Sequence, residues 1–380
     1  MRFRHERIDA RPPCGRLSWC LTTDLTGNGR PDVVVGAQGR YPVVDAGGRE
    51  LKLRLLPGVD RLLPRFETNL FWYENPGWER HTLATERDLE LDVGAALHDV
   101  DGDGRLDLLV GQGHDHTDVY WYRQPEDPRD PWEQHLLTDS FRKYHDLAVG
   151  DVDDDGEPEV VGLSQEAEAV FYYDVPDDPT VEPWPDSHCH VVDEGHRVEG
   201  VHVGDVDGDG ETELVAGTNI YHRNGDGWRR ETVVEGWDDV RVAVADLDGD
   251  GEDEIVLAEG DSPIYGTHPA QLAWFDGPDW TPHLLRDDLY CPHSLQIGDV
   301  TGNGHPDIYV AEMGLRENDD PVHLLFENRG DGEFEEHVVA RGIPTHEAKL
   351  VDMDGDGRLD VVGKSYGPAH HVDVWYNEAD

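Results

Sequence analysis

The chain has 380 residues, of which 83 are Asp or Glu and 31 are Lys or Arg, giving a formal net charge of −52. A surface this acidic repels phosphate, so nucleic acid and anionic membranes are not expected partners. Only four of the basic residues are lysines (Lys52, Lys143, Lys349 and Lys364), and a balance whose self-repulsion needs salt to screen it reads as a halophilic, salt-adapted surface.

The N-terminus, Met1-Arg2-Phe3-Arg4-His5-Glu6-Arg7, has no apolar core of a signal peptide, and no later apolar run reaches membrane-spanning length. A cytoplasmic location is expected, with secretion left open. Phe3 to Ile8 alternates like a strand and resembles Glu79-Arg80-His81-Thr82-Leu83 further on. The four cysteines (Cys14, Cys20, Cys189, Cys291) are too irregular for a disulfide framework or a zinc ribbon and read as free thiols. Cys291 stays open as a ligand because it lies two residues before His293.

An acidic nonapeptide begins at Asp24 and recurs at Asp99, Asp151, Asp205, Asp246, Asp299 and Asp352, at spacings of 75, 52, 54, 41, 53 and 53 residues. In its fullest form, Asp99-Val100-Asp101-Gly102-Asp103-Gly104-Arg105-Leu106-Asp107, oxygen donors stand at the first, third, fifth and ninth positions and glycine at the sixth. Alternate side chains of such a tight turn converge on one hard cation, and calcium is the cation expected. The donors would be Asp24 and Asp32; Asp99, Asp101, Asp103 and Asp107; Asp151, Asp153, Asp155 and Glu159; Asp205, Asp207, Asp209 and Glu213; Asp246, Asp248, Asp250 and Glu254; Asp299 and Asp307; and Asp352, Asp354, Asp356 and Asp360. The first and sixth loops place Thr26 with Asn28 and Thr301 with Asn303 at the middle positions, which weakens calcium there.

Each period contains four short strands. One ends at the loop (Ala95 to His98), one leaves it (Leu106 to Val110), a third is aromatic (Val119 to Tyr122), and a fourth carries a histidine (Trp132 to Leu137). The third strand recurs as Phe71-Trp72-Tyr73, Phe171-Tyr172-Tyr173, Trp274-Phe275, Leu325-Phe326 and Trp375-Tyr376, and the fourth around His81, His190, His283 and His337. Because these rings repeat with the period, they read as packing. The last period stops after its third strand, and the N-terminal strand supplies the fourth. The fold class is therefore all-β: one seven-bladed β-propeller of four-stranded blades over residues 1–380, closed by the N-terminal strand. Blade 4 has only Thr218 to Tyr221 between its second and third strands, whereas blade 1 carries a long insert from Arg40 to Phe66. That insert holds six basic residues (Arg40, Arg49, Lys52, Arg54, Arg61, Arg65) against three acidic ones, a net +3 and a candidate cationic rim.

Asp-x-Asp-x-Asp-Gly-x-x-Asp repeats between β-strands resemble the FG-GAP/VCBS repeats, which include the calcium-loop blades of integrin α-chain propellers and many carbohydrate-active propellers. The resemblance covers essentially the whole chain. It implies the propeller and calcium at the loop positions named above, and it leaves activity open.

The acidic loops occupy one face of the ring, so a grafted site belongs on the opposite mouth. Six residues before each loop, on the strand face that also carries Leu97, Ala95, Val149 and Leu147, lie Ser18, Val93, His145, Glu199, Val240, His293 and His346. With 21 histidines in 380 residues, fewer than one is expected among seven positions, and three occur. His145, Glu199, His293 and His346 are the candidate ligands for Zn, Mn, Fe or Ni. The ends of the second strands add Gln112, Glu259, Glu312 and Lys364, with His114, His116, His268, Arg316, Tyr366, His370 and His371 just beyond. Tyr366, Lys364 and Tyr144 are candidates for proton transfer, and Arg40, Gln112, His114, Glu259, Glu312 and Arg316 for substrate binding.

These residues suggest a metal-dependent enzyme acting on an anionic sugar or polysaccharide. The reaction expected is a lyase or dehydratase step, in which a cation stabilises the enolate formed by proton loss. A non-catalytic calcium-stabilised propeller that binds glycan or protein is the alternative, and a metal-dependent hydrolase a second one.

Overall fold

The computed structural model describes the chain apart from residues 15, 39–42, 46–49, 53–68, 85–88, 114, 115, 226, 265, 267, 317, 331, 368, 369, 379 and 380. It consists of seven four-stranded antiparallel sheets, plus one short pair in the blade-1 insert (Val43–Asp45 with Glu50–Lys52). The inner strands are Leu17–Thr23, Leu91–His98, Tyr144–Gly150, Val201–Gly204, Val240–Ala245, Ser294–Gly298 and Glu347–Val351. Each touches the next around the ring, and the seventh touches the first. The seventh blade takes its outer strand from the N-terminus: Arg2–Asp9 pairs antiparallel with Val372–Glu378, and His5 falls opposite Trp375 just as His81 falls opposite Trp72. Among the described residues the only helical segment is one turn at Asp186–His188, and no helix is long and apolar enough to cross a membrane.

Hydrophobic burial is divided evenly around the ring. Seven apolar clusters lie one between each pair of neighbouring blades, for instance Trp19, Trp72, Leu108 and Tyr122 between blades 1 and 2. Both faces of every blade are therefore covered, which explains why the second strands read as unbroken apolar runs and not as alternating ones. The outer-strand histidines lie against third-strand aromatics, with ring centroids 4.5 Å apart for Trp72–His81, 4.5 Å for Trp121–His135 and 3.9 Å for Trp274–His283.

The acidic loops are also structural. In all seven, the N–H of the sixth-position glycine donates to the first aspartate, as Gly104 does to Asp99 at 2.8 Å. Those glycines have φ between 84° and 97°, a left-handed conformation that a side chain would strain. In all seven, the buried ninth-position carboxylate accepts the N–H of the second loop residue, as Asp107 does from Val100 at 3.1 Å. Where that residue is Asp, its other oxygen accepts an N–H from an amide residue at or just past the end of the third strand: Asn75, Gln124, Asn328 or Asn377. That amide side chain then donates to the preceding blade, Asn328 to Leu247 O at 2.7 Å and Asn377 to Val300 O at 2.8 Å.

Burial raises these ninth-position carboxyls, Asp32 and Asp360 to about 6 and Asp107, Glu159, Glu213 and Glu254 to about 7. Each holds its proton more tightly folded than unfolded, so in chelator the stability they confer is full below about pH 4 and declines as pH rises towards about 7. Melting at constant high salt with EDTA should therefore give a Tm that falls from pH 5 to pH 7.5; a rising Tm over that interval would contradict the assignment.

Candidate metal centre at the propeller mouth

Ring closure brings together residues that are far apart in sequence. His145 from blade 3, Glu199 from the entry to blade 4 and His293 from the entry to blade 6 are all at most 5% exposed. One ligand atom from each lies within 4.8 Å of the others, a grouping able to hold a metal ion. His145 Nε2 stands 3.5 Å from Glu199 Oε2, and the His145 and His293 ring centroids are 6.0 Å apart. Glu199 Oε2 is buried without a hydrogen-bond donor, a costly state for a carboxylate oxygen unless something else occupies it.

The partners of the two imidazoles fix which nitrogens face the centre. His293 Nδ1 lies 3.2 Å from the His346 carbonyl, an acceptor only, so Nδ1 carries the proton and the other nitrogen keeps its lone pair. His145 Nδ1 lies 2.8 Å from Asp146 Oδ2. Asp146 also accepts the Gly200 N–H at 2.9 Å and an Arg241 N–H at 2.9 Å. Burial works against its charge, but Arg241 and His145 hold its carboxyl well below the usual carboxylate range. Carboxylate–imidazole and carbonyl–imidazole pairs of this kind orient metal-ligating histidines. Burial alone would lower His145, yet Glu199 and Asp146 outweigh it and raise its pKa. Burial raises Glu199, with Asp261 and Asp239 adding to it against His145. Burial, helped by Arg241, pushes His293 well down, which keeps that ring neutral.

His346 stands beside the group of His145, Glu199 and His293. It lies flat on His293 (centroids 4.0 Å apart, planes at 17°), and its Nδ1 accepts a hydrogen bond from Lys364. Its other face carries Tyr366, with centroids 4.5 Å apart. Lys364 is fully buried and also donates to the carbonyls of Leu17 and Ser18, and burial lowers its pKa to about 7. Arg16 donates to the Tyr366 hydroxyl at 2.9 Å and lies over its ring. The result is a His293–His346–Tyr366 stack leading away from the three-ligand group.

Other expected site residues are committed elsewhere. The Tyr144 hydroxyl donates to Thr117 O at 2.7 Å and accepts the Phe141 N–H at 3.0 Å, inside the apolar layer between blades 2 and 3, so the proton-transfer role is corrected to a core one. Gln112 accepts the Glu90 N–H and donates to Asp118; Glu259 accepts the Gln271 N–H; Glu312 accepts the N–H groups of Tyr290 and Val322. These three clamp the connections between strands. Cys291 Sγ donates to Asp261 O at 3.5 Å, and burial pushes its thiol up to about 12, unlike a ligating thiolate. His371 bonds Asp373, which also holds His5 and Arg7 at the ring closure. Arg316 is exposed beyond Glu312. Arg40 and His114 lie outside the described residues.

Of the remaining inner-strand positions in this layer, Ser18 donates to Leu91 O at 2.9 Å, and Val93 and Val240 are buried. Sequence reasoning missed Asp146, Arg241 and Arg16. A signal for Arg241 existed: an arginine between Val240 and Val242, on an inner strand of a chain poor in cations.

The Asp146–Arg241 pair joins blade 3 to blade 5 past the inner strand of blade 4. Replacing Arg241 with Met should cost about 3 kcal/mol by stranding a buried charge, and D146N in the same chain should recover most of that loss. Urea unfolding of the two single variants and the double variant measures this directly, and equal losses in R241M and the double variant would exclude the coupling.

In comparisons with known proteins, a family model described as an FG-GAP-like repeat matches residues 99–162 and 299–363. No curated protein matches the chain. Among solved structures, the V. cholerae biofilm matrix protein Bap1 is similar over 98% of this chain and 70% of that one, at 12% identity and a TM-score of 0.45. The chain carries FG-GAP-like repeats on a seven-bladed β-propeller.

Proposed function

We propose that the propeller mouth is the active site of a metal-dependent carbohydrate-active enzyme, a lyase or dehydratase acting on an anionic sugar. The reading rests on one observation: His145, Glu199 and His293 converge from three blades, with each imidazole anchored through Nδ1 and its other nitrogen left as a donor. Two histidines and a glutamate with open positions suit Zn, Mn, Fe or Ni. Such an ion would supply positive charge at the substrate carboxylate while the adjacent proton leaves, the next C–O bond breaks to form the C=C bond, and the departing oxygen takes a proton from water. We assign the proton transfer to Tyr366, the partly exposed ring at the end of the stack, whose hydroxyl accepts a hydrogen bond from Arg16. Lys364 and His346 hold Tyr366 and His293 in one stack and so act as positioning residues.

After mild removal of calcium, the protein should retain about one transition-metal ion per chain, and H145A and H293A should each lose it. Uptake displaces the proton that His145 holds, so metal affinity should rise with pH through the neutral range. On uronate-containing polysaccharides the wild type should release conjugated unsaturated product, followed by its ultraviolet absorbance, and Y366F should slow that release by about 10²- to 10⁴-fold. Metal content unchanged in H293A, or no product from any uronate polymer with the metal present, would remove the proposal.

We further propose that the acidic loops hold calcium unequally. Asp32, Asp107, Asp307 and Asp360 use both carboxylate oxygens on backbone N–H groups, whereas Glu159, Glu213 and Glu254 take, among the described residues, backbone donors on one oxygen only. In the loops of blades 3 to 5 the second carboxylate oxygen takes no backbone donor among the described residues, though Glu213 Oε1 has His222 Nδ1 at 3.5 Å. Asp151, Asp153, Asp155 and Glu159 are grouped to hold an ion, and Asp99, Asp101 and Asp107 form a smaller group in blade 2. Calcium should raise Tm by several degrees. D153N should remove part of that increment, and T301A, in a loop with neutral donors, should leave it unchanged.

A further inference from the structure

A cavity of about 430 Å³ opens on the mouth between blades 4 and 5, and Glu199 forms part of its wall. It exists because blade 4 is short there: Ala216 pairs directly with Asn219 across the two-residue turn Gly217-Thr218, where the other blades carry longer connections. The volume lies within the range of small-molecule sites, roughly 300–1,000 Å³.

The walls combine three kinds of surface. The Trp237 indole is half-buried, packed edge-on against Phe275 at 5.7 Å between centroids, and lines the cavity. Arg197 lies between Glu199 Oε1 at 3.5 Å and Asp239 Oδ1 at 3.1 Å, presenting donors and acceptors side by side. Asn219 accepts the Thr232 hydroxyl at 2.9 Å on the facing strand, which orients a neutral amide. Carboxylates outnumber arginines in the lining by four to two.

We infer that this cavity binds a neutral, polyhydroxylated sugar unit. Hydroxyls donate to carboxylates and accept from guanidinium groups, so alternating carboxylate and arginine suits adjacent hydroxyls of one pyranose ring. The apolar C–H face of the ring fits an indole, which gives large contact area at little entropic cost. A second anion is rejected by the excess of carboxylates, and the two arginines already have acidic neighbours (Asp239 and Glu199 for Arg197, Asp193 for Arg230). The inference names the substrate class of the proposed enzyme and rests on that reading only for placing the reacting anionic unit at Glu199. The neutral unit then occupies the neighbouring cavity, and its binding does not require the metal.

The test is saturation-transfer NMR and calorimetry at high salt, with the neutral disaccharides cellobiose, lactose, mannobiose and maltose, digalacturonate, and chitosan disaccharide as probes. Measurements use wild type, W237A, D239A and the metal-site variant H293A. At least one neutral disaccharide should bind wild type and H293A equally and W237A and D239A at least tenfold more weakly, with digalacturonate weaker in H293A than any neutral binder. Circular dichroism and Tm check that W237A and D239A stay folded, and the conservative W237F should recover part of the binding. Preference for digalacturonate or the cationic chitosan disaccharide in H293A, no neutral binding, or neutral binding unaffected by W237A would overturn the inference. Retained neutral binding with no metal in wild type would overturn the enzymatic proposal alone.

Discussion

The structure depends on a buried carboxylate used as a junction. At the ninth position of each acidic loop, an aspartate or glutamate sits with at most 2% exposure and takes the backbone N–H of the second loop residue. Burying a charge without partners is expensive, whereas burying one that accepts N–H donors fixes the backbone around it. In four blades the same carboxylate also holds a residue at or just past the end of the third strand, whose amide reaches the preceding blade. One side chain therefore orders its own loop, the end of another strand and the junction between blades. The acidic composition is in part a consequence of building these junctions seven times.

Rigidity on the loop face has an effect on the other one. Each inner strand runs from mouth to loop, so fixing its loop end fixes the depth at which its mouth residue sits. His145, Glu199 and His293 occupy the same position relative to their loops, six residues before the first aspartate. Their convergence within 4.8 Å follows from ring closure, with His145 at a register irregularity of its inner strand and Glu199 and His293 just before theirs. The cross-axis Asp146–Arg241 pair adds a second constraint, since it orients the Nδ1 side of His145 and joins two blades that are not neighbours.

Most of the architecture was legible in the sequence because it repeats. Seven loops, a recurring aromatic strand and a truncated last period specify blade number and ring closure, and Arg2–Asp9 does complete the seventh blade. The site was legible in part. Counting back six residues led to His145, Glu199, His293 and His346, of which the first three are grouped within 4.8 Å and the fourth stacks beside them. Period-two alternation gives the face a side chain leaves from; it does not give rotamers, and the stacking of His346 between His293 and Tyr366 is a tertiary fact. Gln112, Glu259 and Glu312 show a second ambiguity of pattern. A polar residue at a strand end can serve either a ligand or the N–H groups of its own connection, and sequence pattern does not separate the two. The blade 4–5 cavity left a visible trace, the shortened spacing of 41 residues, whose meaning depends on the neighbouring loops that flank the gap.

The charge of the whole chain bears on how an anion could be held at all. At −52 the long-range field opposes every anionic substrate. In molar salt the screening length shrinks to about 3 Å, so that field is cut off within a side chain of the surface. What remains are contacts at bonding distance in sites that exclude salt. The described part of the mouth concentrates cations in such places: Arg16 on Tyr366, Arg241 on Asp146 and Lys364 on His346, all in the layer that surrounds the three-ligand group. Arg241 neutralises Asp146, and the raised pKa of His145 sets an imidazolium against Glu199. A divalent ion bound in that place would exchange the imidazolium proton for a metal charge at the same point.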